Sequence, residues 1–278
     1  YLLLIPGLLL LIVMMYPFLT GVYWSFNSYK LTAGDPKFNW GKNYLTLFTT
    51  GDGLHALGVT FGYALMVVVV QLVLGVGLAL LLNYPARFTS FFRILIVMPL
   101  LLPPVIAALM WKVMMTDRGV LNYLLGLIGL PPSLWTNGPE TALFSVGLID
   151  TWVFTPFVIL LVQAGLKSVP HELYEASSVD GAGPIRNFWN ITLPMMTPVL
   201  MVVITFRGID SLKMFDIIYT TTKGGPVNAT TNLHVLGYLE GIRNMNFGAA
   251  MAALVILWVL CYVMSNYLLK LRRKAALS

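Results

Sequence analysis

Six long, predominantly apolar stretches, at about residues 2–26, 56–82, 92–115, 142–166, 195–219 and 247–269, decide what this chain can become. Each is about as long as the ~20 residues a helix needs to cross the hydrocarbon of a bilayer. In lipid the backbone must satisfy its own hydrogen bonds, which leaves only helices and closed barrels. The runs are continuous rather than short and alternating, so a barrel is excluded. The expected class is therefore all-α, a polytopic membrane protein with six transmembrane helices. Pro99, Pro103, Pro104, Pro156 and Pro198 fall inside these runs. Prolines there kink a span, and neighbouring helices re-satisfy the freed backbone. Gly58 and Gly62, then Gly75, Gly77 and Ala79, then Gly248, Ala249, Ala252 and Ala253 supply small faces for close helix contact. Only 10% of the 278 residues are charged, against about 25% in soluble domains. Spans consume nearly the whole chain, and residues 1–278 are expected to form a single transmembrane domain.

The same composition removes several functions. One cysteine, Cys261, allows neither an internal disulfide nor a multi-cysteine metal site. The histidines His55, His171 and His234 are dispersed, without metal-ligand spacing. A net charge of +6 is spread over loops and tail with no basic, aromatic-laced patch, so no nucleic-acid partner is expected. Tyr1 stands at the edge of an apolar run, and the native start is expected upstream. Residues 2–26 lack a basic n-region and a small-residue cleavage site, so they read as a span rather than a signal peptide. Basic loop residues orient the chain. One side carries Arg87, Arg93, Lys167, Arg186, Lys270, Arg272, Arg273 and Lys274; the other carries Lys30, Lys37, Lys42, Lys112, Arg118, Lys223 and Arg243 in longer segments. The first side is about twice as dense in positive charge and is predicted cytoplasmic, together with both termini.

Residues 167–194 are the segment least explained by life in lipid. Glu172, Glu175, Asp180 and Arg186 are joined by Gly181, Gly183, Pro184 and Pro194. Ser168 is predicted to cap a helix that begins near Pro170 and His171, with acids at its positive end. Gly181 and Gly183 end it, Pro184 opens a second short helix, and Pro194 and Pro198 mark entry into the fifth span. Leu173, Ala176 and Val179 then form a small apolar face. Such a face suits a groove on a partner chain or the lipid headgroups, and composition leaves both open.

The spacing of Glu175-Ala176-Ser177, Gly181 and Ile191-Thr192-Leu193-Pro194 resembles the EAA loop of ABC-importer permeases. The string from Leu173 to Ala182 resembles their carbohydrate-uptake, maltose-type branch, with Ser177 where a second alanine is usual. Asn122-Tyr123-Leu124-Leu125 with Gly129-Leu130 is similar to stretches of the same family. So are Asp150-Thr151-Trp152 with Pro156-Phe157, Phe215 to Tyr219 before Gly224-Gly225-Pro226, and Phe247-Gly248-Ala249-Ala250. The Gly-Gly-Pro loop resembles the member related to the larger maltose permease. The resemblance implies a type I importer fold with coupling helices between the fourth and fifth spans. It also implies a second, different permease subunit, an ATPase dimer holding ATP and Mg at the cytoplasmic face of a bacterial inner membrane, and an extracytoplasmic solute-binding protein. No cofactor is expected on this chain itself. On this footing Glu172, Glu175, Ala176, Asp180, Gly181, Ala182 and Arg186 would couple to the ATPase.

Ionisable residues inside a span default to functional candidates. Arg207, Asp210, Lys213 and Asp216 recur at intervals of three, with Ser211 and Met214 extending the Arg207 line. They read as a cavity wall for a hydroxylated solute or as an ion-pair ladder that fixes helix packing. Asp150 is expected near the outer half of its span, within reach of water. The family resemblance favours the cavity, placing solute contacts at Arg207, Ser211 and Met214 and a second group at Val153, Phe154 and Phe157.

Three function classes can be separated. Gly-x-x-x-x-Gly-Lys-Ser/Thr is absent, so the chain is not itself expected to be an ATPase. No nucleophile–base pair or metal cluster supports an enzyme. A self-contained secondary transporter or channel is the alternative, but internal repeats with matched broken helices are not evident.

Overall fold

The computed structural model describes residues 5–83 and 87–277, with the side chains of residues 8 and 273–277 left aside. Residues 2–4 of the first expected span and the side chains of Arg273 and Lys274 therefore lie outside the described set. The elements are α1 (Ile5–Ser25), β1 (Asn27–Ser28), β2 (Lys37–Phe38), α2 (Lys42–Thr49), α3 (Gly51–Leu81), α4 (Thr89–Val97) and α5 (Pro104–Met114). They continue with α6 (Val120–Leu127), α7 (Pro139–Ser168), α8 (His171–Val179), α9 (Pro184–Asn187) and α10 (Leu193–Leu212). The chain closes with α11 (Asp216–Thr221), α12 (Leu233–Tyr238) and α13 (Phe247–Leu277). The two short strands pair antiparallel, Asn27 opposite Phe38.

Five described helices are long and apolar enough to cross a bilayer, and six if α4 and α5 count together. The third expected span is thus corrected: residues 92–115 are not one helix but two pieces bent by 102°. Pro99, Pro103 and Pro104 explain the bend. Pro103 and Pro104 bring no N–H to a ladder, and residues before a proline are driven out of helical backbone. Pro103 accordingly adopts ψ 134° and Pro104 starts α5.

The fold is centred on α7, whose residues from Ala142 to Leu166 bury side chains around much of the helix. Its long neighbour is α3. Gly75 of α3 lies so close to Val158 that an added Cβ would collide with the valine side chain. Gly58, Gly62 and Gly77 face open space instead, so only part of the expected small face is used inside this chain. The core has three regions. One gathers Tyr63, Val67, Ala107, Ile149 and Ile217 at the level of α5 and α11. A second gathers Ala79, Val158, Val162, Met196 and Val203 nearer α8. The third seats α13 on α2, α3 and α12 through Leu47, Ala56, Leu233, Ala253 and Leu257. Gly248 opens α13 directly against the Asn27 carbonyl, where a side chain would not fit.

The fifth expected span is also interrupted. A continuous helix runs from Pro184 through a π turn (Phe188–Thr192) to Leu212, then stops, and α11 begins at Asp216. The π turn sits where Pro194 brings no N–H to an i−4 bond. At the other end, side chains from the α12 region receive the orphaned carbonyls. The Asn232 amide donates to the Met214 carbonyl at 2.6 Å, and His234 Nδ1 lies 2.7 Å from the Lys213 carbonyl. Asn232 also caps α12, accepting from the Val235 N–H at 2.9 Å.

Candidate functional site

Two places collect the residues singled out by sequence. The first is the α8–α9 unit. Pro170, not Ser168, precedes α8; Ser168 is the last residue of α7 and its hydroxyl donates to the Gly165 carbonyl at 2.7 Å. The capping expected of Ser168 is therefore corrected: α7 runs too far for it to start the next helix. The end of α8 matches expectation. Gly181 has φ 73°, its N–H donates to Ser178 and the Ala182 N–H to Ser177, which is a Schellman closure around a left-handed residue. Gly183 is extended and Pro184 takes the first position of α9.

Glu172, Glu175, Ala176, Asp180, Gly181 and Arg186 are all exposed, and Ala182 is half-buried. Leu173 and Val179 are exposed beside them, Val179 at 86%. His171 Nδ1 lies 3.0 Å from Glu175 Oε1 on this open surface, a pair that adds about 0–1 kcal/mol at most. The opposite face is tied down. Tyr174 Oη is 2.9 Å from Thr192 Oγ1 in the π turn, and Ser177 donates to the Asn187 amide oxygen. A groove of about 680 Å³ lies between this unit and the ends of α3 and α7, lined in part by Asn83, Val169, Tyr174 and Trp189.

The second place is buried between α3, α7 and α10. Asp150 is 0% exposed and Arg207 1%, and Arg207 Nη2 stands 2.6 Å from Asp150 Oδ1. Tyr63 donates to Asp150 Oδ2 at 2.7 Å, and the Gln71 amide donates to Oδ1 at 2.7 Å. Arg207 Nε completes the circuit by donating to Gln71 Oε1 at 2.8 Å. Asp150 is thus not water-facing as expected, because Tyr63, Gln71 and Arg207 enclose it. Sequence reasoning missed Tyr63 and Gln71. The signal was present: Gln71 is an amide in mid-span, and a buried amide in lipid requires partners.

The charge ladder divides at this point. Arg207 Nη1 is 3.8 Å from Asp210, and Lys213 is 3.1 Å from Asp210, so the pairs three residues apart are present. Asp216 is separated because α10 ends before it. Phe154, Asp210, Lys213, Met214, Phe215, Asp216 and His234 line an open pocket of about 310 Å³, closed on one side by Pro104. Ser211 and Val153 are buried and not part of the lining, and Phe157, also outside the lining, packs edge-on against Phe206 at 6.3 Å. Of the expected solute contacts, the structure gathers Phe154, Asp210 and Met214 at the pocket and puts Arg207 behind them, its guanidinium carbon 4.2 Å over the Phe154 ring centroid.

The Gly224-Gly225-Pro226 loop is folded on itself. Gly224 has φ 91°, Thr230 donates to the Gly225 carbonyl at 3.0 Å and Thr231 to that of Gly224 at 2.9 Å. His55 reaches this loop through the Asn228 carbonyl at 2.9 Å. At the opposite end of the molecule, Arg272 of α13 lines a small pocket with Ser168 and Pro198.

The chain is 32% identical over 265 residues to the trehalose/maltose transport system permease protein of Thermococcus litoralis, covering 94% of this chain and 90% of that one. It is 34% identical over 275 residues to the sulfoquinovosyl glycerol transport system permease protein of Agrobacterium fabrum, covering 98% and 89%. Among solved structures, the fold matches a chain of a bacterial ABC transporter involved in the import of the acidic polysaccharide alginate. That match has a TM-score of 0.84 and 21% identity, over 99% of this chain and 94% of the other. Residues 71–275 match the profile described as "Binding-protein-dependent transport system inner membrane component". The chain belongs to that family and is an integral membrane permease component of such a transport system.

Proposed function

We propose that this chain is one permease subunit of an ATP-driven importer for a carbohydrate or related polyol. Residues 1–278 act as one transmembrane domain, and the solute crosses by alternating access. The relative named for trehalose/maltose transport supports a sugar-like solute. ATP and Mg belong to a separate ATPase dimer at the cytoplasmic face, which receives α8 and α9. A second, different permease and an extracytoplasmic binding protein complete the assembly. The basic side of the chain, including Arg186 and Arg272, is the cytoplasmic one, and the loops around residues 27–54 and 220–246 meet the binding protein.

One observation carries the coupling assignment. Helix α8 turns Leu173, Ala176 and Val179 outward while its Tyr174 and Ser177 fasten it to the helix that runs from Pro184 to Leu212, α9 being the first turn of that helix. That helix is roughly 40 Å long at 1.5 Å per residue, and it carries Arg207 and Asp210. A push at the ATPase end is thereby delivered to the buried ion pair and the pocket beside it. Glu172, Glu175, Ala176, Asp180, Gly181, Ala182 and Arg186 make the ATPase contact. Phe154, Asp210 and Met214 meet the solute at the pocket, and Arg207, Ser211, Val153 and Phe157 shape the pathway from behind.

The test is uptake by the complete importer in proteoliposomes, with ATP inside and binding protein outside, over a panel of sugars and polyols. Accumulation of at least one member, dependent on both ATP and binding protein, is expected. Uptake that proceeds without either would identify a secondary transporter or channel instead.

A further inference from the structure

Charge is distributed unevenly around the pocket bounded by α5, α7, α10 and α11. Arg207 does not meet it as a free cation. Its Nη2 and Nε are committed to Asp150 and Gln71, and the side chain is 1% exposed. One atom, Nη1, has no hydrogen-bond partner. It points between two lining residues, with Phe154 below the guanidinium and Asp210 Oδ2 at 3.8 Å. Lys213 is also engaged, at 3.1 Å from Asp210 Oδ1. The two cations are thus matched by two carboxylates, Asp150 and Asp210.

Asp216 is left over. It is exposed, lines the pocket, and forms no ion pair among the described residues. Lys112 of α5 does not line the pocket and directs its ammonium to the Thr220 carbonyl at 3.4 Å. His234 spends Nδ1 on the Lys213 carbonyl. The remaining walls are the ring faces of Phe154 and Phe215 with Met214 and Pro104. The pocket therefore offers carboxylate acceptors and aromatic faces under a net negative charge, with the unpaired Arg207 Nη1 buried behind its lining.

We propose that this pocket is a charge filter that admits neutral polyhydroxylated solutes and turns away anionic ones, with Asp216 setting the bias. The proposal rests on the importer reading and adds the solute class to it. A hydroxyl can donate to Asp210 or Asp216, and a sugar ring can lie on Phe154 or Phe215. A phosphate, sulfonate or carboxylate would instead meet an uncompensated carboxylate, with Arg207 already neutralised behind it.

The field can be measured without knowing the natural solute. In the assembled importer carrying Cys261→Ala, single reporters Pro104→Cys and Phe215→Cys are reacted with cationic trimethylammonium-ethyl and anionic sulfonatoethyl methanethiosulfonates. Each rate is normalised to that of the same reagent with a free thiol. The cationic reagent is expected to react faster at both reporters. Asp216→Asn should lower the cation-to-anion ratio on the order of fivefold at low ionic strength, the effect of one unit charge at about 7 Å in water. Asp216→Glu should keep the ratio. An anionic reagent that reacts as fast as the cationic one, or a ratio unmoved by Asp216→Asn, overturns the proposal. Loss of ATP-driven uptake with the ratio and its Asp216 dependence intact would count against the importer reading and leave the filter standing.

Discussion

Arg207 Nη2 stands 2.6 Å from Asp150 Oδ1, with both side chains out of solvent, and this contact ties α10 to α7. Gln71 and Tyr63 extend the tie to α3, so three long helices share one polar junction. Breaking one side leaves a buried charge without its partner, which costs about 3–5 kcal/mol. Asp150→Ala is therefore expected to lower the thermal inactivation midpoint of the solubilised complex sharply. Asp150→Leu combined with Arg207→Met should recover much of the loss, because no orphaned charge remains. Equal instability of the single and double variants would show that the junction acts through something other than charge compensation.

Packing between α3 and α7 gives a second expectation with an internal control. An added Cβ at Gly75 would collide with the Val158 side chain, whereas one at Gly77 meets nothing within 4 Å. Gly75→Ala should destabilise the protein by about 1–3 kcal/mol, the range for overpacking a close contact. Gly77→Ala should be neutral within this chain. Thermal melts of the two variants side by side decide it. If Gly77 rather than Gly75 proves sensitive, the partner permease occupies the open face of α3.

The bond between Tyr174 and Thr192 joins the exposed unit to the long helix at its π turn. Tyr174→Phe and Thr192→Val remove it while leaving Leu173, Ala176 and Val179 in place. The ATPase subunit should co-purify in normal amount, but solute moved per ATP hydrolysed should fall by up to about fivefold, the factor that about 1 kcal/mol corresponds to. An unchanged transport-to-hydrolysis ratio in both variants would remove this bond from the coupling path.

Much of this architecture is legible from single residues. Apolar length places the spans, and Gly181 with Pro184 forecasts a helix end followed by a helix start, as found. Local rules fail where tertiary partners decide. Nothing near Met214 in sequence says that its carbonyl will be satisfied by Asn232 from another helix, yet that bond lets α10 stop four residues before Asp216. The burial of Asp150 is likewise long-range, since Tyr63, Gln71 and Arg207 lie on two other helices. A kink at Pro103 follows from the sequence, but its size of 102° does not.

In the function proposed above, α8 and α9 link this permease to its ATPase, and Gly181 is the residue at which that link can be broken without touching the spans. Its φ of 73° excludes ordinary side chains at a cost of about 1–2 kcal/mol, while nothing in this chain lies within 4 Å of an added Cβ. Gly181→Asp should therefore spare the spans and spoil the docking surface. The decisive measurement is ATP-driven uptake by the Gly181→Asp importer together with the amount of ATPase subunit that co-purifies with it. Uptake is expected to be abolished, with the ATPase either released or hydrolysing ATP without transport. Normal uptake with normal ATPase assembly would contradict it.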